Sequence, residues 1–580
     1  MSGIICVFNK DKELEDIVQC NLISSNKDYI GSIIQDHDSM YCVRPEFYEH
    51  NESLHHYSYF NKTIDIVFTG KLKRNSDLNL DINIDLSVLC DEEYISLLYC
   101  CFKEKCLDYL DGFFNFVIKD KNLIFAARDH LGIMPLYYYE NNKTLIISSK
   151  IKCILDYLGV CIVDKEGIKE LLGVGPSMSP GKTIYKNIYS LKPANYLLYN
   201  NIKLSLYNYW KPSQIEIKDD LNGIINHIKQ LVIENTLWHY NNNCACLLSG
   251  GLDSSIIASI LSKENRIKTY SLEYENQNQD FVGNEYQTTQ DCQYIDLMNK
   301  SINNKHTIIN VQQNQLYEQL LESLKARDMP GMSDIDSSLY ILLEGIEENI
   351  IFSGDCADEI FGGYPWFYKE ELYTQNYFPW MRDIDKRIEI INKDLNIDIK
   401  NYILDSFEKS NRKDLPTVKR IMLLNYEWFM QTLLKRGETI SNQLNKEIRM
   451  PFASKDILEY MYNVPDEYFF IKNEEKYLLR KAFEDILPED IAHRKKNPFP
   501  KTYSPIYENI VSQELENILK NKDSILYKLF DKQELMNLTK TKGKSFDYPW
   551  YGQLMKGPQF IAYLIQIDLW AKEYNVVLEL

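Results

Sequence analysis

Two short segments of this chain have residue types and spacing suited to phosphate chemistry. In the first, Leu247-Leu248-Ser249-Gly250-Gly251-Leu252-Asp253-Ser254-Ser255, an apolar run from Cys244 ends in two glycines, and hydroxyl residues then open the apolar run from Ile256 to Leu261. Glycines let a backbone turn sharply and expose its amide hydrogens. A helix that follows aims its positive end and free N–H groups at the same spot. Such a loop can hold a phosphate or pyrophosphate. Asp253 would repel that anion, which points to a divalent cation between them. The loop is not of the Walker type, because no lysine follows the glycines. Read alone, a short Ser-Gly-Gly string is more often a plain glycine turn with a Ser/Asp helix cap; the whole string points to a nucleotide.

The second segment, Ser353-Gly354-Asp355-Cys356-Ala357-Asp358-Glu359-Ile360-Phe361-Gly362-Gly363-Tyr364, also follows an apolar run, Asn349 to Phe352. Asp355, Asp358 and Glu359 crowd three carboxylates into five residues. Unpaired, they would repel one another, and a metal or a cationic substrate group accounts for them. A solvated acidic turn fits poorly beside Ile360-Phe361.

Both segments need strands to end where they begin. Up to about residue 205 the chain reads as β-rich, with short runs at 4–8, 64–68, 113–118 and 145–147 and helical stretches near 92–102 and 165–173. Layered sheets with helices follow. The polar stretch from Tyr209 to Ser213 sets a boundary near 212, giving domains 1–212 and 213–580. Beyond it, helices (221–238, 254–263, 286–302, 313–326, 336–347) alternate with apolar strands (244–248, 268–272, 307–311, 349–352). That alternation predicts a doubly wound parallel sheet, whose ligands bind at the C-terminal ends of its strands. Residues 365–580 read as mostly helical.

A chain of 580 residues can bury more than one large core. The net charge of −18 argues against a nucleic acid or an anionic membrane as partner and leaves small-molecule chemistry. No apolar run approaches the roughly 20 residues of a membrane span. The N-terminus lacks the basic and apolar segments of a signal peptide. The 13 cysteines are odd in number and scattered, and Cys100, Cys101 and Cys106 have no zinc-like spacing. A cytoplasmic location with reduced thiols is the expectation.

With both loops in place, the chain resembles the asparagine synthetase family of the glutamine-hydrolysing type. The resemblance runs nearly end to end. It rests on Arg128-Asp129-His130-Leu131-Gly132, the loops at 249–255 and 353–364, and Ala326-Arg327-Asp328-Met329-Pro330-Gly331-Met332. It continues through Glu447-Ile448-Arg449-Met450-Pro451-Phe452, Glu475-Lys476-Tyr477-Leu478-Leu479-Arg480 and Arg494-Lys495-Lys496. It implies an α/β protein. An N-terminal αββα sandwich, like that of N-terminal-nucleophile hydrolases, would precede a doubly wound ATP-pyrophosphatase domain with a helical extension. It also implies ATP and Mg2+, adenylation of a carboxylate, and a possible homodimer. Leu248, Ser249, Gly250, Gly251, Leu252, Asp253, Ser254, Ser255, Ser353 and Gly354 would contact the nucleotide. Asp253 and Asp358 match the family's metal ligands, and Lys476 matches a lysine on the α-phosphate. Arg494, Lys495 and Lys496 are either a solvated basic face or a clamp for carboxylate or phosphate. Asp355 stands where asparagine-forming members carry Glu, thought to take a proton from ammonia, and lactam-forming relatives carry Tyr. It keeps the carboxylate and shortens its reach by one methylene.

The first domain departs further. The family's nucleophile is Cys at position 2, where this chain has Ser2. A hydroxyl nucleophile at an N-terminus is chemically possible. However, the Asn-Gly-Glu segment that grips glutamine aligns with Thr69-Gly70-Lys71, and no arginine between 40 and 62 clearly matches the one that holds the glutamine carboxylate. Asp91 is the one glutamine-binding acid with a counterpart. The expectation is a glutaminase fold without hydrolysis. Ammonia would then reach an activated aspartate to give asparagine or an analogue. The alternatives are an amine acceptor, as in lactam or cyclic-peptide formation, and a silent scaffold. Changes at Asn445, Lys446, Ala453 and Ser454 would mark a remodelled acceptor pocket or mere drift.

Overall fold

The computed structural model describes residues 3–8, 28–35, 38–45, 54–59, 62–74, 84–141, 144–276, 281 and 289–580. The chain forms two compact units. One comprises 1–161, 180–213 and 442–445; the other comprises 162–179, 214–441 and 446–580. The stretch 162–179 therefore lies with the second unit.

The first unit contains β1 (Gly3–Phe8), β2 (Asp28–Gln35), β3 (Asp38–Pro45), β4 (Leu54–Tyr59), β5 (Lys62–Leu72), β6 (Gly112–Asp120), β7 (Leu123–Arg128), β8 (Tyr137–Glu140) and β9 (Leu145–Ser148). After β10 (Cys161–Asp164) it resumes with β11 (Ile188–Ser190), β12 (Asn195–Tyr199) and β13 (Leu204–Asn208). Two six-stranded sheets result, in the orders β11-β8-β9-β1-β3-β2 and β13-β12-β7-β6-β5-β4. The period-2 alternation of side chains builds the layers. Ile66, Phe68, Phe114, Phe116 and Phe125 pack with Tyr94, Ile95 and Leu98 of helix Asp91–Phe102. The intervening Val67, Val117, Ile124 and Ala126 pack with Ile4, Cys6, Met40 and Cys42 of the other sheet. Helix Ile151–Leu158 packs on β8 and β9, completing an αββα sandwich.

The second unit is built on β14 (Cys244–Leu247), β15 (Ile267–Tyr274), β16 (Asn304–Val311), β17 (Ile350–Phe352) and β18 (Glu447–Arg449). All pair in parallel, in the order β16-β15-β14-β17-β18. The chain leaves β14 toward one edge and returns through β17 to the other, so the order reverses between β14 and β17. In parallel sheets that reversal opens a crevice at the carboxyl ends of the strands. Helices Leu252–Glu264 and Asp334–Glu344 pack against the sheet, and both bury mostly apolar side chains. A helical array that includes Ile399–Ser410, Met430–Gln443, Pro505–Ile518 and Gly557–Glu573 follows. β19 (Val576–Glu579) pairs with β10.

Three expectations shift in detail. The helix placed at 286–302 is Cys292–Ser301. The helix placed at 313–326 is two, Gln313–Glu318 and Leu320–Arg327. β18 lies inside a segment read as helical, because three residues are too few to show an alternating pattern. Among the described residues no helix is long and apolar enough to cross a membrane.

Candidate active site

The two loops emerge from the neighbouring strands β14 and β17 and share one cavity. Residues 248, 249, 251–254, 353–355 and 358 line it, together with Glu359, Lys476 and the stretch 494–500. Gly250 and Ser255 lie behind the wall. Gly250 has φ +65°, and a Cβ there would stand 2.6 Å from Cβ of Tyr294 and 2.7 Å from its carbonyl carbon. The turn therefore requires glycine. Ser255 is fully buried within the helix. Ser254 Oγ accepts from the Ser249 amide at 3.2 Å, and Ser249 Oγ accepts from the Gly251 amide at 3.3 Å. These bonds fold the loop onto the first turn of helix Leu252–Glu264.

Lys476 joins both loops. Its ammonium lies 2.6 Å from Asp253 Oδ2 and 2.5 Å from Asp358 Oδ1, with only 2% of the side chain exposed. Lys496 Nζ adds a contact of 2.9 Å to Asp358 Oδ2. Burial alone would lower the Lys476 pKa, but Asp253 and Asp358 outweigh it and keep the amine charged. Burial pushes the Asp253 carboxyl up, with Lys476 opposing. Asp358 is largely shielded from water, which alone would raise its pKa, yet Lys476 and Lys496 together hold it below the usual carboxylate range. Two acids and two ammonium groups thus balance across three segments distant in sequence. Lys476 itself sits at φ +56°, the residue before helix Tyr477–Phe483. Paired contacts over-determine that backbone.

Asp355 accepts a hydrogen bond from Ser353 Oγ at 2.8 Å, and this bond holds its carboxylate at the cavity wall. The 494–500 stretch is tied down at several points. Arg494 Nη1 donates to the Ser249 carbonyl at 3.0 Å, Nη2 pairs with Asp291, and the guanidinium covers the Tyr294 ring at 3.9 Å. Glu475 accepts from Arg480 at 2.5 Å and from the Lys496 amide at 2.8 Å. Of the two readings of 494–496, Arg494 and Lys496 therefore belong to the site wall and not to a solvated face.

Asp291 and Arg436 line the cavity with no sequence signal to mark them. Glu359, counted above only as one of three acids, is 2% exposed and accepts from Tyr364 Oη at 2.6 Å. Burial, with Asp358 and Asp355 adding to it, pushes its carboxyl from 4.5 up to about 8. A raised carboxyl pKa means the folded state holds the proton more tightly than the unfolded state between those values. Its contribution to stability is therefore complete below the unfolded value and declines as pH rises toward 8. Glu359→Gln imitates the protonated form. Its melting temperature should match wild type near pH 5 and exceed it increasingly up to pH 8.5; a pH-independent difference would contradict this assignment.

Ser2 lies outside the described residues. Thr69 Oγ1 donates to Asn115 Oδ1 at 2.7 Å, and Gly70 at φ +123° passes so close to β6 that a Cβ would meet the Phe113 carbonyl oxygen at 2.0 Å. Asp91 accepts from the Leu72 amide at 3.1 Å and pairs with Arg74 at 2.6 Å. The 128–132 motif is architectural. Arg128 donates to the carbonyls of Gly132, Met134 and Leu191, and Asp129 accepts from the amides of Leu131, Ile133 and Met134.

The switch-point crevice, its glycine loop and its balanced acid–lysine cluster define a nucleotide-binding α/β enzyme. Residues 238–572 match the asparagine synthase family model, and residues 1–210 match the glutamine amidotransferase domain model. The chain belongs to the asparagine synthase family and is an ATP-dependent, AMP-forming carbon–nitrogen ligase. It is 35% identical over 549 residues to glutamine-hydrolyzing asparagine synthetase 3 of Bacillus subtilis (strain 168), covering 90% of this chain and 89% of that protein. It is 22% identical to asparagine synthetase 1 of the same organism, covering 91% of each chain. The human asparagine synthetase is 23% identical, with 75% of this chain and 71% of that protein covered.

Proposed function

We propose that the second unit adenylates the side-chain carboxylate of aspartate and transfers ammonia to it, giving asparagine or a close analogue, AMP and pyrophosphate. The observation that carries this reading is Lys476, buried and charged between the two loops, in a cavity whose wall also holds the Asp355 carboxylate. The amides of the first turn, 252–254, would take the nucleotide's phosphates. Mg2+ suits the acids present: Asp253 Oδ1 is buried without a hydrogen-bond partner, and Mg2+ is commonly held by one or two carboxylates plus substrate phosphates. When bound, it would neutralise charge on the departing pyrophosphate. A substrate carboxylate oxygen attacks the α-phosphorus, and the bond to pyrophosphate breaks. Lys476 stabilises the charge that builds on the α-phosphate oxygens. Ammonia then attacks the activated carbonyl carbon, AMP leaves, and the Asp355 carboxylate takes the proton the new amide sheds.

Of the positions whose departures would mark a pocket rebuilt for a larger amine, Lys446, Ala453 and Ser454 do not line the cavity. Lys446 instead donates to the carbonyls of Ile346 and Glu348. Ammonia is favoured over an amine on this ground. The test is ATP–pyrophosphate exchange across a panel of carboxylic acids. Aspartate should support exchange, and added ammonium should convert aspartate to its amide with stoichiometric AMP. Absence of exchange with aspartate would remove this reading.

We further infer that the first unit no longer hydrolyses glutamine. Asp91, its one matching glutamine-binding acid, is already engaged by Arg74 and the Leu72 amide, and position 71 is a lysine. Sequence-verified protein should release no glutamate from glutamine above background. Glutamate release at the rate of AMP formation would overturn this.

A further inference from the structure

Arg436, which lines the same cavity, shares one carboxylate with a second buried guanidinium, that of Arg327. Asp336 is wholly buried. Its Oδ2 accepts from Arg327 Nη1 at 3.1 Å and from the Met332 amide at 2.8 Å. Arg327 therefore already supplies its counter-charge. Arg436, 5% exposed, comes within 3.2 Å of Asp336 Oδ1 through Nε. That approach lacks hydrogen-bond geometry, and Nη2 reaches the Ile335 carbonyl only at 3.4 Å. A guanidinium carries five N–H donors, so Arg436 is under-satisfied. Phe499 stacks on it at 4.6 Å and fixes its plane. The nearby buried acid Asp334 accepts from Gln559 and faces Lys501, so it does not cancel the excess.

The trio thus carries one surplus positive charge, in a cavity whose lining also includes the apolar Leu339, Leu342 and Leu433. A buried charge without a partner is costly, and arginine matches a carboxylate in two parallel bonds. On the reading above, the nucleotide's phosphates have their own loop at 249–255. We infer that Arg436 binds a second carboxylate of the acceptor, the one that is not adenylated, and so selects acids with two anionic groups over monocarboxylic acids. This rests on the adenylation reading above.

The test compares aspartate with β-alanine, which is aspartate without its α-carboxylate, in ATP–pyrophosphate exchange by wild type, Arg436→Gln and Arg436→Lys. Wild type should prefer aspartate by about 10- to 100-fold in kcat/KM, the range for one charge-assisted hydrogen bond. In Arg436→Gln that preference should collapse, with the loss in the KM for aspartate and the KM for ATP within about 3-fold of wild type, since the phosphates bind elsewhere. Arg436→Lys should restore part of the preference, and it substitutes if the glutamine variant does not fold. A purely structural role would lower both acids' rates together. Equal exchange by wild type with both acids, or an undiminished preference in the folded variants, overturns the inference. Exchange by wild type with neither acid would instead remove the adenylation reading.

Discussion

Lys476→Met should lower AMP formation by about 10²- to 10³-fold, the scale seen when one pre-placed donor to a developing charge is removed. It should also lower stability. In the wild type this ammonium stands within hydrogen-bonding distance of Asp253 and Asp358, both largely buried. Deleting it leaves two carboxylates with only Lys496 to balance them, and removing one partner of a buried pair costs about 3–5 kcal/mol. The two acids would then retain a proton that the wild type gives up. The variant's deficit in melting temperature should widen as pH rises through the carboxylate range and narrow in acid, where protonation relieves the repulsion. Pyrophosphate exchange and melts from pH 4.5 to 8 check both parts. Turnover within a few-fold of wild type would remove Lys476 from the chemistry. A deficit independent of pH would contradict the charge balance assigned to it.

Gly363→Ala should also disable the enzyme, through space rather than charge. A Cβ at Gly363 would stand 1.9 Å from Asp358 Oδ1 and 2.3 Å from Cε of Lys476. Neither distance is tolerable, so at least one of the paired side chains must move. Both obstacles are ends of side chains rather than backbone, so the fold can yield locally and the active geometry cannot. A displacement of about 1 Å in a positioning group can cost on the order of 10²-fold. The expected result is kcat/KM reduced on that order while the melting temperature falls by only a few degrees. Near-wild-type kcat/KM would mean that the placement of Asp358 and Lys476 is not needed for turnover.

The parts of this site legible in the sequence were those with local signatures. The glycine–hydroxyl string at 249–255 and the acids at 355, 358 and 359 declare themselves because turn chemistry and charge crowding act over a few residues. The alternation of strands and helices from 221 to 352 placed both loops at strand ends, and the sheet agrees. Asp291 and Arg436 were not legible. Each is one ordinary charged residue in an unremarkable helix-forming stretch, and its role comes from what the fold brings against it across more than a hundred residues. β18 escaped for a related reason: Glu-Ile-Arg becomes a strand only because β17 offers it a parallel edge. In the first unit, Asp91 could be named from the sequence. That Arg74 and a backbone amide already occupy it depends on how β5 meets the following helix.

The balanced cluster of Asp253, Asp358, Lys476 and Lys496 has one more consequence. These two carboxylates do not make a bare negative socket, because the site's own lysines balance them. On the adenylation proposed above, a nucleotide arriving with a cation would compete with Lys476 for these carboxylates, and its phosphates would compete with them for the ammonium. Loading would then be a trade of partners between fixed charges, in which anion and cation enter nearly as a neutral pair. Either component alone would leave the trade half made, with a lysine or an acid stranded in a site too dry to tolerate it. On that reading, a requirement for both together follows from the pairing of Asp253 and Asp358 with Lys476 and Lys496.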